Sequence, residues 1–288
     1  MASLRDIQRR IRSVRNTQQI TRAFQRVAFS RLRVAQARTL ASRPYAEAMR
    51  EVLRSLPRVT GSERDALQEQ RPVANILVVH VTPDRGLCGA LPGNINRLLA
   101  RFITQHSEPV SAIATGRRGR DFVLRSGRHL VADFSGMGDA PSAADAASVA
   151  RAAIDEFRSG RADAVYLTYT RLISTMRQEP ALIQLLPVAP AEEQQEDRRP
   201  KAQYEFEPEP GEVLQALLPR YVEMQIYQAL LESKASEQSA RMVAMQNASD
   251  NAEDLVASLT LSKNKARQAG ITRELAEIVG GAAALEQG

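Results

Sequence analysis

The sequence predicts an α/β chain in which a long helix at each end pairs with the other as an antiparallel coiled coil. Between them lies a domain with a mainly parallel sheet. Three observations predict this. Helix breakers avoid both ends: residues 1–43 and 220–269 contain neither glycine nor proline, and 13 of the 14 prolines fall between Pro57 and Pro219. Proline removes a backbone donor and clashes with the preceding turn, and glycine costs entropy, so their absence marks uninterrupted helix. Along both ends, apolar and small residues recur at alternating spacings of three and four. Through the middle, apolar strand-like runs alternate with amphipathic helical ones.

The N-terminal helix comes first. Leu4, Ile7, Ile11 and Val14 begin a seam that continues through Gln18, Thr21, Gln25, Ala28, Leu32 and Ala35. It is apolar at both ends and polar in the middle. The C-terminal helix carries a matching seam: Met224, Gln228, Leu231, Ala235, Gln238, Met242, Met245, Ser249, Ala252, Val256 and Leu259. Forty residues of helix extend about 60 Å and sixty-five about 100 Å, at ~1.5 Å per residue. A helix that long is stable only against a continuous partner. Small and polar seam residues allow close approach at a cost in stability. They fit either a supporting hairpin or a shaft that moves inside another assembly, and spacing alone does not choose between these.

In the middle, Val73–Val81 is a near-continuous apolar run, as in a strand covered on both faces. Asn94–His106 reads as a helix, Val110–Thr115 as a strand, Arg117–Arg125 as a short helix and His129–Phe134 as a third strand. Ala143–Phe157 is an amphipathic helix, and Ala164–Ile173 and Ala181–Val188 are later strands. The alternation gives a Rossmann-like α/β domain. Ala189–Glu212 is rich in Pro, Glu and Gln and reads as an exposed connection. The expected organisation is a coiled-coil helix over 1–58, the α/β domain over 72–190, an exposed segment over 191–211 and a second coiled-coil helix over 212–288.

Composition narrows the function. Of 288 residues, 43% are hydrophobic and 25% charged, ordinary for a folded chain. The net charge of +6 is concentrated: residues 1–58 hold 14 arginines against Asp6, Glu47 and Glu51, a net of +11. One cysteine, Cys88, excludes an intramolecular disulfide framework, and His80, His106 and His129 are too scattered to suggest a metal site. Met1–Arg5 runs straight into charge, so no cleaved leader is expected, and no apolar run approaches the ~20 residues of a membrane span. The expectation is a soluble chain that meets a membrane only through partners.

Tests for catalytic or nucleotide motifs return little. There is no G-x-x-x-x-G-K-[ST] phosphate loop, and Gly86-Leu87-Cys88-Gly89 lacks the G-x-G-x-x-G spacing. Gly116-Arg117-Arg118-Gly119-Arg120 could hold phosphate or simply be a basic turn. Cys88 has no base placed near it in sequence and reads as a buried structural residue. Asp84-Arg85 ends the first strand, where open α/β sheets place ligands, yet a local cap serves equally well. No cofactor is expected.

Particular residues do match a known family. Residues 1–22, MASLRDIQRRIRSVRNTQQITR, resemble the start of the γ subunit of F-type ATP synthases. Asp84–Gly89, Arg220–Glu223, Glu232–Ala248, Lys265–Leu275 and Glu277–Ala282 resemble further segments of that family. The resemblance implies a non-catalytic rotor whose coiled coil enters an α3β3 ring, with catalysis on the β subunits. The α/β domain would stand on the c-ring of Fo beside ε, on the cytoplasmic face of a bacterial inner membrane. By the same resemblance, Arg267, Gln268, Thr272 and Glu274 would meet β-subunit loops, with the turn around Arg22–Arg26 facing the same zone. Arg9, Arg10, Arg12, Arg22, Arg26, Arg31 and Arg33 would face acidic loops of the ring. Tyr204, Glu205, Phe206 and Glu207 resemble the foot that touches the c-ring and ε. Phe24-Gln25-Arg26, Phe29-Ser30-Arg31, Pro83 and Gly270 depart from the usual family residues. The alternative is a nucleic-acid-binding helical protein, suggested by the basic first helix.

Overall fold

A computed structural model describes residues 4–55, 66–188 and 210–286. Its elements run α1 (Leu4–Ser55), a 3-10 turn (Ala66–Gln68), β1 (Ile76–His80), α2 (Leu91–Gln105), β2 (Val110–Ala114), α3 (Arg117–Arg125) and β3 (Leu130–Asp133). They continue with α4 (Ala143–Arg158), β4 (Ala164–Leu172), β5 (Gln178–Leu186) and α5 (Pro210–Glu286). Two compact units share these elements: residues 1–27 with 242–288, and residues 28–241.

The larger unit is built on a five-stranded sheet of order β3-β2-β1-β4-β5. β1 pairs in parallel with β2 and β4, and β2 in parallel with β3. β5 is antiparallel to β4, because only the short turn 173–177 joins them and no helix carries the chain back. All five residues of β1 are buried, since the sheet is covered on both faces. On one face Leu77 and Val79 pack with Val149, Ala153 and Phe157 of α4 and with Leu218, Val222 and Ile226 of α5. On the other, Ile76 and Val78 meet Leu99 and Phe102 of α2 and Val123 of α3. Within this unit α1 and α5 also pair antiparallel, through Ala46 and Met49 against Met224.

In the smaller unit the first part of α1 lies antiparallel to the last part of α5. Thr21 Oγ1 and Ser249 Oγ share a 2.6 Å hydrogen bond, and the Gln25 side chain donates to Gln246. Gln18 donates to Glu253 at 3.1 Å. Every residue of both sequence-read seams is buried or half-buried, including the polar ones. Thr21 and Ser249 thus bond seam to seam, while Gln18 and Gln25 reach side chains of α5 that flank the seam, which offsets the cost of burying them.

Three elements extend further than glycine and proline suggest, α5 among them, which runs through Pro219 and Gly270. α1 continues through Pro44 to Ser55. The proline leaves the carbonyl of Leu40 without its helical donor, but Leu40 and Pro44 are both exposed, so water can satisfy it. α2 starts at Leu91, three residues before the sequence reading, with Pro92 in its first turn, where the missing N–H has no partner to lose.

Candidate functional site

Open α/β sheets usually bind ligands at the carboxyl ends of the strands, where the strand order reverses. In the order β3-β2-β1-β4-β5 that point lies between β1 and β4. It is not open. Leu230, Ser233, Lys234 and Glu237 of α5 occupy it, together with Val81, Thr82, Asp84, Thr115 and Thr170 from the strand ends. The cavity left among them is about 10 Å³, room for roughly one water molecule. Glu237 is 4% exposed and bonded to two cations, Lys234 Nζ at 3.1 Å and Arg241 Nη2 at 2.8 Å. The Arg241 guanidinium also donates to the Gly86 carbonyl at 3.3 Å, tying the Asp84–Gly89 loop to α5.

The sequence candidates around this point prove to be structural. Asp84 accepts from the backbone N–H of Arg117 at 3.0 Å and of Gly136 at 3.2 Å, so it caps α3. Gly116 and Gly119 are small because the β1 end runs against them. A Cβ on Gly116 would lie 2.0 Å from the Thr82 carbonyl oxygen, and one on Gly119 would lie 2.6 Å from the His80 ring. Arg117 and Arg118 are exposed, while Arg120 pairs with Asp121 at 2.8 Å and Asp133 at 3.4 Å. Cys88 is buried beside Leu91 and Ala240, and burial pushes its thiol above the ordinary range, away from a nucleophile. His80 is wholly buried, with Nδ1 2.7 Å from Thr168 Oγ1 and Nε2 2.9 Å from Asn96 Oδ1. Burial lowers its pKa to about 4. Among the described residues no group of His, Cys, Asp and Glu could hold a metal ion.

The remaining candidates are on the helices. Arg9, Arg10, Arg12, Arg26 and Arg33 are exposed on α1. Arg9 pairs with Asp6 at 3.1 Å, a local contact. Arg31, in the larger unit, pairs with Asp139. Arg22 pairs across the helices with Glu253 at 2.8 Å. Arg267, Gln268, Thr272 and Glu274 are exposed on α5. In the antiparallel register Glu253, opposite Arg22, lies fourteen residues before Arg267, about 21 Å along the helix. The same register brings α1 to its start near Arg267, and every residue from Ile271 to Val279 is exposed, including Ile271, Leu275, Ile278 and Val279. Tyr204, Glu205, Phe206 and Glu207 lie outside the described residues.

Sequence reasoning missed Glu253 and Gln246, which bind α1 from positions flanking the seam, and the serines Ser233 and Ser236. A seam reading finds residues that face a helix. Residues that face a sheet end need the strand order as well.

Fold and surfaces together define a class: an α/β domain whose ligand crevice is filled by its own helix, and a two-helix pair with exposed arginines. A family model described as ATP synthase matches residues 3–285. The ATP synthase gamma chain of Dehalococcoides mccartyi (strain CBDB1) is 51% identical over 290 residues, covering 99% of this chain and 100% of that one. That of Chloroflexus aurantiacus (strain J-10-fl) is 50% identical over 291 residues, covering 99% of each. The fold is also that of a chain in the cryo-EM structure of Euglena gracilis mitochondrial ATP synthase, OSCP/F1/c-ring. The TM-score there is 0.72 at 21% identity, with 98% of this chain and 94% of that one covered. The chain belongs to the ATP synthase gamma-chain family. It is a subunit of ATP synthase, and among the described residues no helix is long and apolar enough to cross a membrane. The nucleic-acid alternative finds no support in these relatives.

Proposed function

We propose that this chain is the central stalk of an F1Fo ATP synthase, turning inside an α3β3 ring and coupling ion flow through the c-ring to ATP chemistry at the β sites. The observation that carries the reading is the 51% identity to a gamma chain over essentially the whole of both sequences. In this reading the chain is not itself catalytic and holds no cofactor. The support is physical: the usual ligand crevice is filled by Leu230, Ser233, Lys234 and Glu237. The ring and c-ring partners agree with the Euglena assembly of OSCP, F1 and c-ring; ε completes the set by family resemblance. Membrane attachment is then peripheral, on the cytoplasmic face of a bacterial inner membrane, through the c-ring.

Arg9, Arg10, Arg12, Arg26, Arg31 and Arg33 face the acidic loops of the ring. Long-range charge lets such a surface be gripped without interlocking packing, and arginine stays charged throughout. Arg267, Gln268, Thr272 and Glu274 contact β-subunit loops near the tip, and Tyr204–Glu207 contact the c-ring and ε. Co-purification with α, β and ε, followed by an ATPase assay, tests the assignment. A stable complex whose hydrolysis depends on this chain is the expected result. Failure to join an α3β3 assembly contradicts it.

A further inference from the structure

β1 ends at His80, and the chain turns towards α3, with Thr82 Oγ1 donating to the Gly116 carbonyl. β4 runs on to Leu172. The last contact between them is Val81 N–H to the Thr168 carbonyl at 2.9 Å. Residues two apart on a strand turn their backbone groups to the same neighbour, so Thr170 also faces the side that β1 has vacated. Thr170 is 3% exposed, and its N–H and C=O would be buried without partners there. Two serines of α5 take the place of the missing strand. Ser233 Oγ accepts from Thr170 N–H at 3.1 Å, and Ser236 Oγ donates to the Thr170 carbonyl at 3.0 Å. One turn on, Ser239 Oγ donates to the Thr175 carbonyl at 2.6 Å in the β4–β5 turn. Ser236 and Ser239 are fully buried.

We infer that Ser233, Ser236 and Ser239 form a rotational latch, fixing α5 against the end of the sheet so that torque passes between the helix and the α/β domain. This inference rests on the proposed rotor function. The physical distinction is directionality. Apolar contacts such as those of Leu218 and Leu230 resist separation but have no preferred angle. Hydrogen bonds weaken steeply off line, and a slide of one residue, about 1.5 Å, breaks all three. The serines are also small enough to let the helix backbone reach the strand end.

The test uses the whole chain assembled with its α and β subunits on a surface. A bead is attached through Arg128→Cys, an exposed position on the α/β domain; the buried Cys88 does not compete for the label. The angular variance of the bead is read during pauses between ATP-driven steps. Ser233→Ala with Ser236→Ala should widen that variance roughly twofold, because two directional contacts are lost. Leu218→Ala, a core truncation on the same helix, should leave it unchanged although it lowers Tm. If the double variant does not assemble, Ser239→Ala alone is read in the same way. An unchanged variance in the serine variant, or equal widening by Leu218→Ala, overturns the latch. A parent complex that hydrolyses ATP without turning the bead overturns the rotor reading instead, so the two failures are distinguishable.

Discussion

Two stretches of α5 have the same helical geometry and opposite surroundings. From Ala229 to Ala240 every side chain is buried or half-buried, whatever its polarity, because strand ends, the Asp84–Gly89 loop and α5's own charged neighbours enclose it. From Ile271 to Val279 every side chain is exposed, including four large apolar ones. Helix propensity does not distinguish the two. Partners do: the first stretch is finished within this chain, and the second presents Ile271, Leu275, Ile278 and Val279 to whatever surrounds it. The enclosed stretch should therefore govern the stability of the isolated chain, and the exposed one should govern assembly.

The largest expected effect tests the enclosed stretch. Glu237→Ala leaves Lys234 and Arg241 partly buried without their shared counter-ion, and stability should fall by about 3–5 kcal/mol in urea unfolding. A loss under ~1 kcal/mol would mean that water already reaches the cluster.

Next is a pH effect inside the same unit. His80 is held neutral by burial, with its pKa lowered to about 4 from 6.5. The unfolded chain then binds the extra proton at higher pH, so stability is complete above about pH 6.5 and falls as pH drops towards 4. The total is about 3 kcal/mol. His80→Gln should flatten that part of the stability–pH curve.

Gly119→Ala places a methyl against the His80 ring and Thr82 and should cost about 1–3 kcal/mol, read from the denaturation midpoint. The smallest effects belong to the exposed regions. Breaking the Arg22–Glu253 pair should change stability by less than about 1 kcal/mol, less still at high salt. Ile278→Ser should stay within about 0.5 kcal/mol in the isolated chain, while weakening recovery of the α3β3 complex in a pull-down. A large loss of stability without a loss of assembly would reverse the comparison.

Much of this was legible in the residues. Both helical seams follow from spacing alone, because a helix paired along its length buries one stripe and repeats it. The strand–helix alternation gives the parallel core; the antiparallel pairing of β5 was not read, because its start at Gln178, which leaves only a short turn after β4, shows first in the structure. The filled crevice was not legible. It depends on where β1 lies in the sheet relative to β4, and on α5 returning from more than sixty residues away to meet Thr170. Asp84 and Gly116–Arg120 looked like ligand groups for the same reason: caps and close approaches use the residue types that phosphate loops use, and only geometry separates them. The separation of Arg22 from Arg267 needed the antiparallel register, which no stretch of either helix contains by itself.

The most direct measurement follows a bead fixed to the α/β domain of this chain, within an immobilised α3β3 assembly, as ATP is added. Sustained rotation in one direction, in three steps per turn and dependent on ATP, is the result the account predicts. ATP hydrolysis by the assembled complex with the bead stationary would contradict it.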